Sequence, residues 1–198
     1  MKPFPRRIRA FAALWRGFGD DRASQIAEFA VSLPLLVLFV VGIFDFSSAI
    51  TLKQKLTNAA REGARVAAAD PANDLGNTAP PPVSVVDAFW VVDNYLLSEK
   101  INDCGLSTQR PIWSSGLTWS STAPCPGGGG PSNSLVLTIN RGYVTSQTSG
   151  ANTTYVVNTQ VKISYPYTWK FGGVSGLFGG GFILPIGITT ATVAFNEN

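Results

Sequence analysis

From Phe29 to Phe44 no side chain is charged, and from Ala27 to Ile50 only Glu28 and Asp45 interrupt an otherwise apolar run. Those 24 residues would rise about 36 Å as a helix, enough to cross a bilayer once. The pattern then narrows. Leu52, Leu56, Ala59, Gly63 and Val66 recur at three- and four-residue spacing, with Lys53, Lys55, Arg61 and Arg65 around them, which is the periodicity of a helix with one apolar stripe. The stripe is made of small residues. Ala59, Ala60, Gly63, Ala64, Ala67 and Ala68 let another backbone come close, as a helix needs when it packs on a partner helix or a sheet. Asp70 and Pro71 end the pattern, because the residue before a proline avoids the helical region. One helix from Ser24 to Ala69 is predicted, about 69 Å long. Residues 24–50 would span the membrane and 51–70 would extend beyond it. Pro34 removes one helical donor inside the span, so a mild kink or local unwinding is expected there.

After a linker from Pro71 to Pro82, Val85, Phe89, Val92 and Leu96 mark a second amphipathic helix over 83–100, with Asp87, Asp93, Asn94 and Glu99 off that stripe. Further on, Tyr155, Val157, Thr159, Val161 and Ile163 alternate with Asn158, Gln160, Lys162 and Ser164, the period-2 signature of a half-buried strand over 155–165. The segments 134–143 and 186–195, rich in Val, Ile and Thr, can pair with it. Helices first and an antiparallel sheet last give an α+β fold, with residues 71–198 as a domain outside the membrane.

Composition narrows the chemistry. The 198 residues include no histidine and two cysteines, which excludes Ser-His-Asp and Cys-His catalysis, any His-containing zinc site and a four-thiolate zinc centre. Charged residues make up 14%, against roughly 25% in an average soluble domain. That balance points to membrane attachment. Net charge is +3, but residues 1–23 hold six of the positives (Lys2, Arg6, Arg7, Arg9, Arg16, Arg22). A short basic tail beside an apolar run keeps that side in the cytoplasm and sends the rest across. It is not the clustered, aromatic-interleaved face of a nucleic-acid binder. A removable signal peptide cut after Ala49 is the alternative, against which stand the long tail, the length of the run and the acids at its ends.

Cys104 and Cys125 bracket a Ser-, Gly- and Pro-rich stretch, and an outward-facing domain is where such a pair oxidises to a disulfide. The glycine-spaced aromatics Tyr165, Tyr167, Trp169, Phe171, Phe178 and Phe182 either cover the sheet or meet the membrane interface or a neighbouring subunit. Asp87, Asp93, Glu99 and Asp103 read as a solvated helix face and its end, leaving no paired carboxylates in a cleft. No enzyme, cofactor or small-molecule substrate is therefore expected.

The order Asp21-Arg22-Ala23-Ser24-Gln25-Ile26-Ala27-Glu28-Phe29-Ala30, an apolar run with Pro34, Gly42-Ile43-Phe44-Asp45-Phe46, and Asn58-Ala59-Ala60-Arg61-Glu62-Gly63-Ala64-Arg65 resembles the TadE-like proteins of bacterial tight-adherence (Flp-type) pilus systems. The resemblance implies a pseudopilin or minor pilin in the cytoplasmic membrane. It would act with other pilins and the assembly platform and be cut by prepilin peptidase between Ala23 and Ser24. Ala23 stands where the family usually has glycine. It also implies roles in assembly for Glu28, Phe29 and Asp45, and in helix packing for Ala59, Ala60, Gly63 and Ala64. Glu28 either pairs with a neighbour's new α-amino group at Ser24 or snorkels to the cytoplasmic interface. The alternative function is an anchored binding or adhesion module unrelated to pili.

Overall fold

The computed structural model describes residues 21–73, 75–126, 133–150, 152–169 and 186–197. Most of the basic leader, the side chains of Ala23 and Ser24, and the aromatics Phe171, Phe178 and Phe182 lie outside them. The chain divides into two compact units, Met1–Phe44 and Asp45–Asn198.

Helix α1 runs Asp21–Ala69, 49 residues, and continues through Pro34. Near that proline Ser32 Oγ donates to the Phe29 carbonyl at 3.2 Å. In the second unit α1 lies in the core beside α2 (Val83–Ser98) and a five-stranded sheet. The strands are β1 (Ile112–Ser115), β2 (Thr118–Pro124), β3 (Ser134–Ser149), β4 (Asn152–Tyr167) and β5 (Ile186–Phe195). They pair in sequence order, every neighbour antiparallel, so the domain is α+β.

Alternation fixes which sheet face is covered. Leu135, Leu137 and Ile139 of β3 and Val161 and Ile163 of β4 are buried, as period 2 requires of residues on one face. Leu137 sits opposite Ile163, and Ile139 opposite Val161. Against this face lie Leu56, Ala59, Ala60, Ala64 and Ala67 of α1 and Val85, Phe89, Val92 and Leu96 of α2, all buried. At Gly63 the approach is closest. A Cβ there would lie 2.6 Å from Val92 Cγ2 and 3.4 Å from the Ala88 carbonyl oxygen.

Three expectations change. Strand β4 begins at Asn152, and its period-2 pattern is buried only from Thr159 onward, while Tyr155 and Val157 are 71% and 51% exposed. The hairpin arm of β3 and β4 extends beyond the residues that α1 covers, because α1 stops at Ala69. The Ser- and Pro-rich stretch before Cys125 holds strands β1 and β2, with Trp119 fully buried on the same inward alternation as Ser121 and Ala123. Asp93, placed on the solvated side of α2, is 1% exposed. It follows Val92 at the border of the stripe, where the 310 turn Leu106–Thr108 and its preceding loop close over the helix end.

Candidate membrane anchor and helix-packing site

From Gln25 to Phe44 is 20 residues with one charge, Glu28. Its apolar side chains are open: Phe29 is 64% exposed, Leu36 62% and Phe44 63%. An open apolar surface of this size marks a membrane or protein-interaction site. As a helix it measures about 30 Å, the thickness of a bilayer's hydrocarbon core. Among the described residues this is the one helix long and apolar enough to cross a membrane.

Glu28 is exposed and stands seven residues after Asp21, where α1 begins. Ala23 and Ser24 lie in the opening turns of α1. Phe29 adjoins Glu28 and is exposed.

Asp45 differs sharply from its neighbour Phe44, being only 6% exposed. The Tyr167 hydroxyl donates to the Asp45 carbonyl oxygen at 3.3 Å. Trp169 packs edge-on against Tyr167, ring centres 5.4 Å apart. Burial first, and the Asp45 carboxylate second, hold the Tyr167 phenol above its ordinary pKa of 10.0, so it stays a donor.

Beyond Asp45 the small-residue stripe is used within the chain. Ala59, Ala60 and Ala64 are buried, and Gly63 meets α2 and Val161 of the sheet. Lys55 clips the two helices together, its Nζ 3.0 Å from Glu99 Oε2 and donating to the Glu99 carbonyl at 3.3 Å. This cation sits at the C-terminus of α2, where the helix dipole favours it.

The C-terminal end of α1 is held by a residue that sequence reasoning missed. Arg141 is 1% exposed, and its guanidinium donates to the carbonyls of Ala67 and Asp70, the latter at 3.0 Å. It also donates to Thr159 Oγ1 at 2.9 Å and Asn196 Oδ1 at 3.4 Å. The last carbonyls of a helix lack intrahelical donors, and one planar guanidinium supplies several at once. The signal was present: Leu135, Leu137 and Ile139 alternate inward, so the next inward position is Arg141.

A second missed feature is a carboxyl pair. Asp93 hydrogen-bonds Asp103, and burial, then the Asp103 charge, then that bond raise its pKa above the usual 3.8. Asp93 Oδ1 is buried without a hydrogen-bond partner among the described residues. Nearby, the Tyr165 hydroxyl donates to the Asn102 carbonyl at 3.1 Å, and burial and Asp103 raise its pKa. The same loop is anchored by the Cys104–Cys125 disulfide, Cα atoms 4.8 Å apart.

Fold and anchor together define a class: an α+β domain whose core helix continues, toward the N-terminus, into one apolar segment of membrane-spanning length. Residues 23–65 match the model of the TadE-like protein family. The match covers most of α1 and none of the sheet. Neither the comparison with curated proteins nor that with solved structures gives a match.

Proposed function

We propose that this chain is a pseudopilin or minor pilin of a tight-adherence pilus system, working by helix packing and not by catalysis. The observation that carries this reading is the coincidence of the TadE-like match, residues 23–65, with a single helix that is open and apolar up to Phe44 and buried in a domain after it. Residues 1–23 lie in the cytoplasm, the helix crosses the cytoplasmic membrane, and residues after it lie outside, following the basic tail. Prepilin peptidase cuts between Ala23 and Ser24. Its partners are other pilins and the assembly platform.

In this reading Glu28 sets register. A carboxylate at the hydrocarbon edge costs free energy, with helix-centre values of about 2.5 to 3.5 kcal/mol as an upper bound. Cleavage creates an α-amino group at Ser24, four residues or about 6 Å of rise from Glu28, mostly cationic at neutral pH. In a stack of subunits that amine meets a neighbour's Glu28 and offsets the cost. The test is Glu28→Gln, which removes the charge at nearly constant shape. The variant is expected to insert and accumulate like the wild type and to fail to support pili. Wild-type piliation at equal protein level would refute the charge pair and leave snorkelling.

A further inference from the structure

We infer that the outer surface of the bilayer meets the protein at Asp45, and that Tyr167 and Trp169, at the end of β4, lie in its headgroup layer. The inference rests on the membrane-anchor reading above and adds a second lipid contact, made by the folded domain.

The boundary is fixed by what happens at adjacent positions. Phe44 is 63% exposed and apolar, whereas Asp45 is 6% exposed. The 20 residues from Gln25 to Phe44 fill about 30 Å, so the hydrocarbon core is used up where burial begins. On the open side of α1 the large apolar side chains continue for only about one turn more, through Phe46 at 61% and Ile50 at 42% exposed. Lys53, Gln54, Asn58 and Arg61 then turn that side polar and remain exposed. Asp45 to Ile50 is about 7.5 Å of helix and Asp45 to Lys53 about 12 Å, and each headgroup layer is about 5 to 8 Å deep, so Phe46 falls in the interfacial zone, Ile50 at its outer edge and Lys53 beyond it.

The sheet reaches the same depth. Tyr167 hydrogen-bonds the Asp45 carbonyl, and Trp169, half-buried, stacks edge-on against Tyr167. Tyr and Trp are the side chains that favour this layer, their rings apolar and their tips polar. A boundary five residues further out, at Ile50, would draw this strand end into hydrocarbon, where irregular backbone has no water to satisfy it. It would also set the Asp45 carboxylate five residues inside the core, where a charged side chain is costly. Setting the surface at Asp45 removes both conflicts. The end of β4 at Tyr167 then lies at the membrane surface.

The full chain reconstituted in lipid nanodiscs tests this, with co-elution of protein and discs reporting the anchor separately. Acyl chains brominated near the headgroup should quench the Trp169 fluorescence, taken as the difference between wild type and Trp169→Phe, more strongly than chains brominated near the bilayer centre. An unquenched Trp169 component in protein that co-elutes with discs would overturn the inference and leave the anchor standing. Strongest quenching by the deep bromines would overturn it in the opposite sense, with the boundary at Ile50. Failure to co-elute would remove both readings. A second measurement leaves Trp169 intact: the native cysteines are paired, so an introduced thiol reports alone. Phe46→Cys should react with a charged maleimide several-fold more slowly than Lys53→Cys in discs, and equal rates would overturn the boundary.

Discussion

Asp93 and Arg141 are two charged-type side chains nearly sealed from solvent in the domain, and they are accommodated in opposite ways. The terminal NH groups of Arg141 donate to the carbonyls of Ala67 and Asp70, to Thr159 and to Asn196. At Asp93, burial first and the Asp103 charge second disfavour ionisation and raise its pKa. A group whose folded-state pKa is raised gives its stability below the unfolded value and loses it as pH rises through the folded one. The pair's contribution to domain stability should therefore fall as pH rises above the ordinary carboxylate value of 3.8. Asp93→Asn should raise the chemical denaturation midpoint of the detergent-solubilised full chain at neutral pH and flatten that fall. An unchanged pH slope would show that Asp93 ionises freely in the folded protein. Neither residue was legible in isolation. Asp93 carries the wrong chemistry for its place beside the α2 stripe, and only the closing loop around Leu106 makes that place interior.

At the scale of elements, the close crossing of α1 and α2 depends on one missing side chain. At Gly63 a Cβ would fall 2.6 Å from Val92 Cγ2, and Val is stiff at χ1 and cannot swing away cheaply. Gly63→Ala should cost about 1 to 3 kcal/mol as overpacking. Adding Val92→Ala should recover part of that loss, a coupling that a double-mutant cycle reads directly; strict additivity would mean the crossing is looser than described. The Cys104–Cys125 bond ties the loop after α2 to the end of β2. Closing about 20 residues is worth on the order of 3 kcal/mol. Reduction should lower the denaturation midpoint accordingly and release two labelled thiols, with none labelled before it.

Long periodic elements were the legible ones. Helix α1 was expected from Ser24 to Ala69 and forms from Asp21 to Ala69, because its pattern runs unbroken to Asp70-Pro71. Helix α2 and the three pairing strands were likewise readable from apolar spacing. Strands β1 and β2 were hidden because their residues are Ser, Thr and Trp in a Gly/Pro-rich context, and what orders them is pairing with β3. The exposed half of β4 misled for the reverse reason: Tyr155 and Val157 continue a strand pattern past the helix that would cover it. The pattern specifies a strand, not what lies on it.

At the scale of the molecule, one helix serves two solvents. Its first part suits hydrocarbon because every apolar face is open; its second suits a protein core because its stripe is small enough for α2 and the sheet to approach. This division needs the first part to remain in the mature protein. The most direct test is the N-terminal residue of the protein purified from its native host. The account predicts Ser24, leaving Glu28 as the fifth residue of an intact membrane helix. Ile50 would contradict it, because a signal peptidase would then have removed the anchor and released the domain.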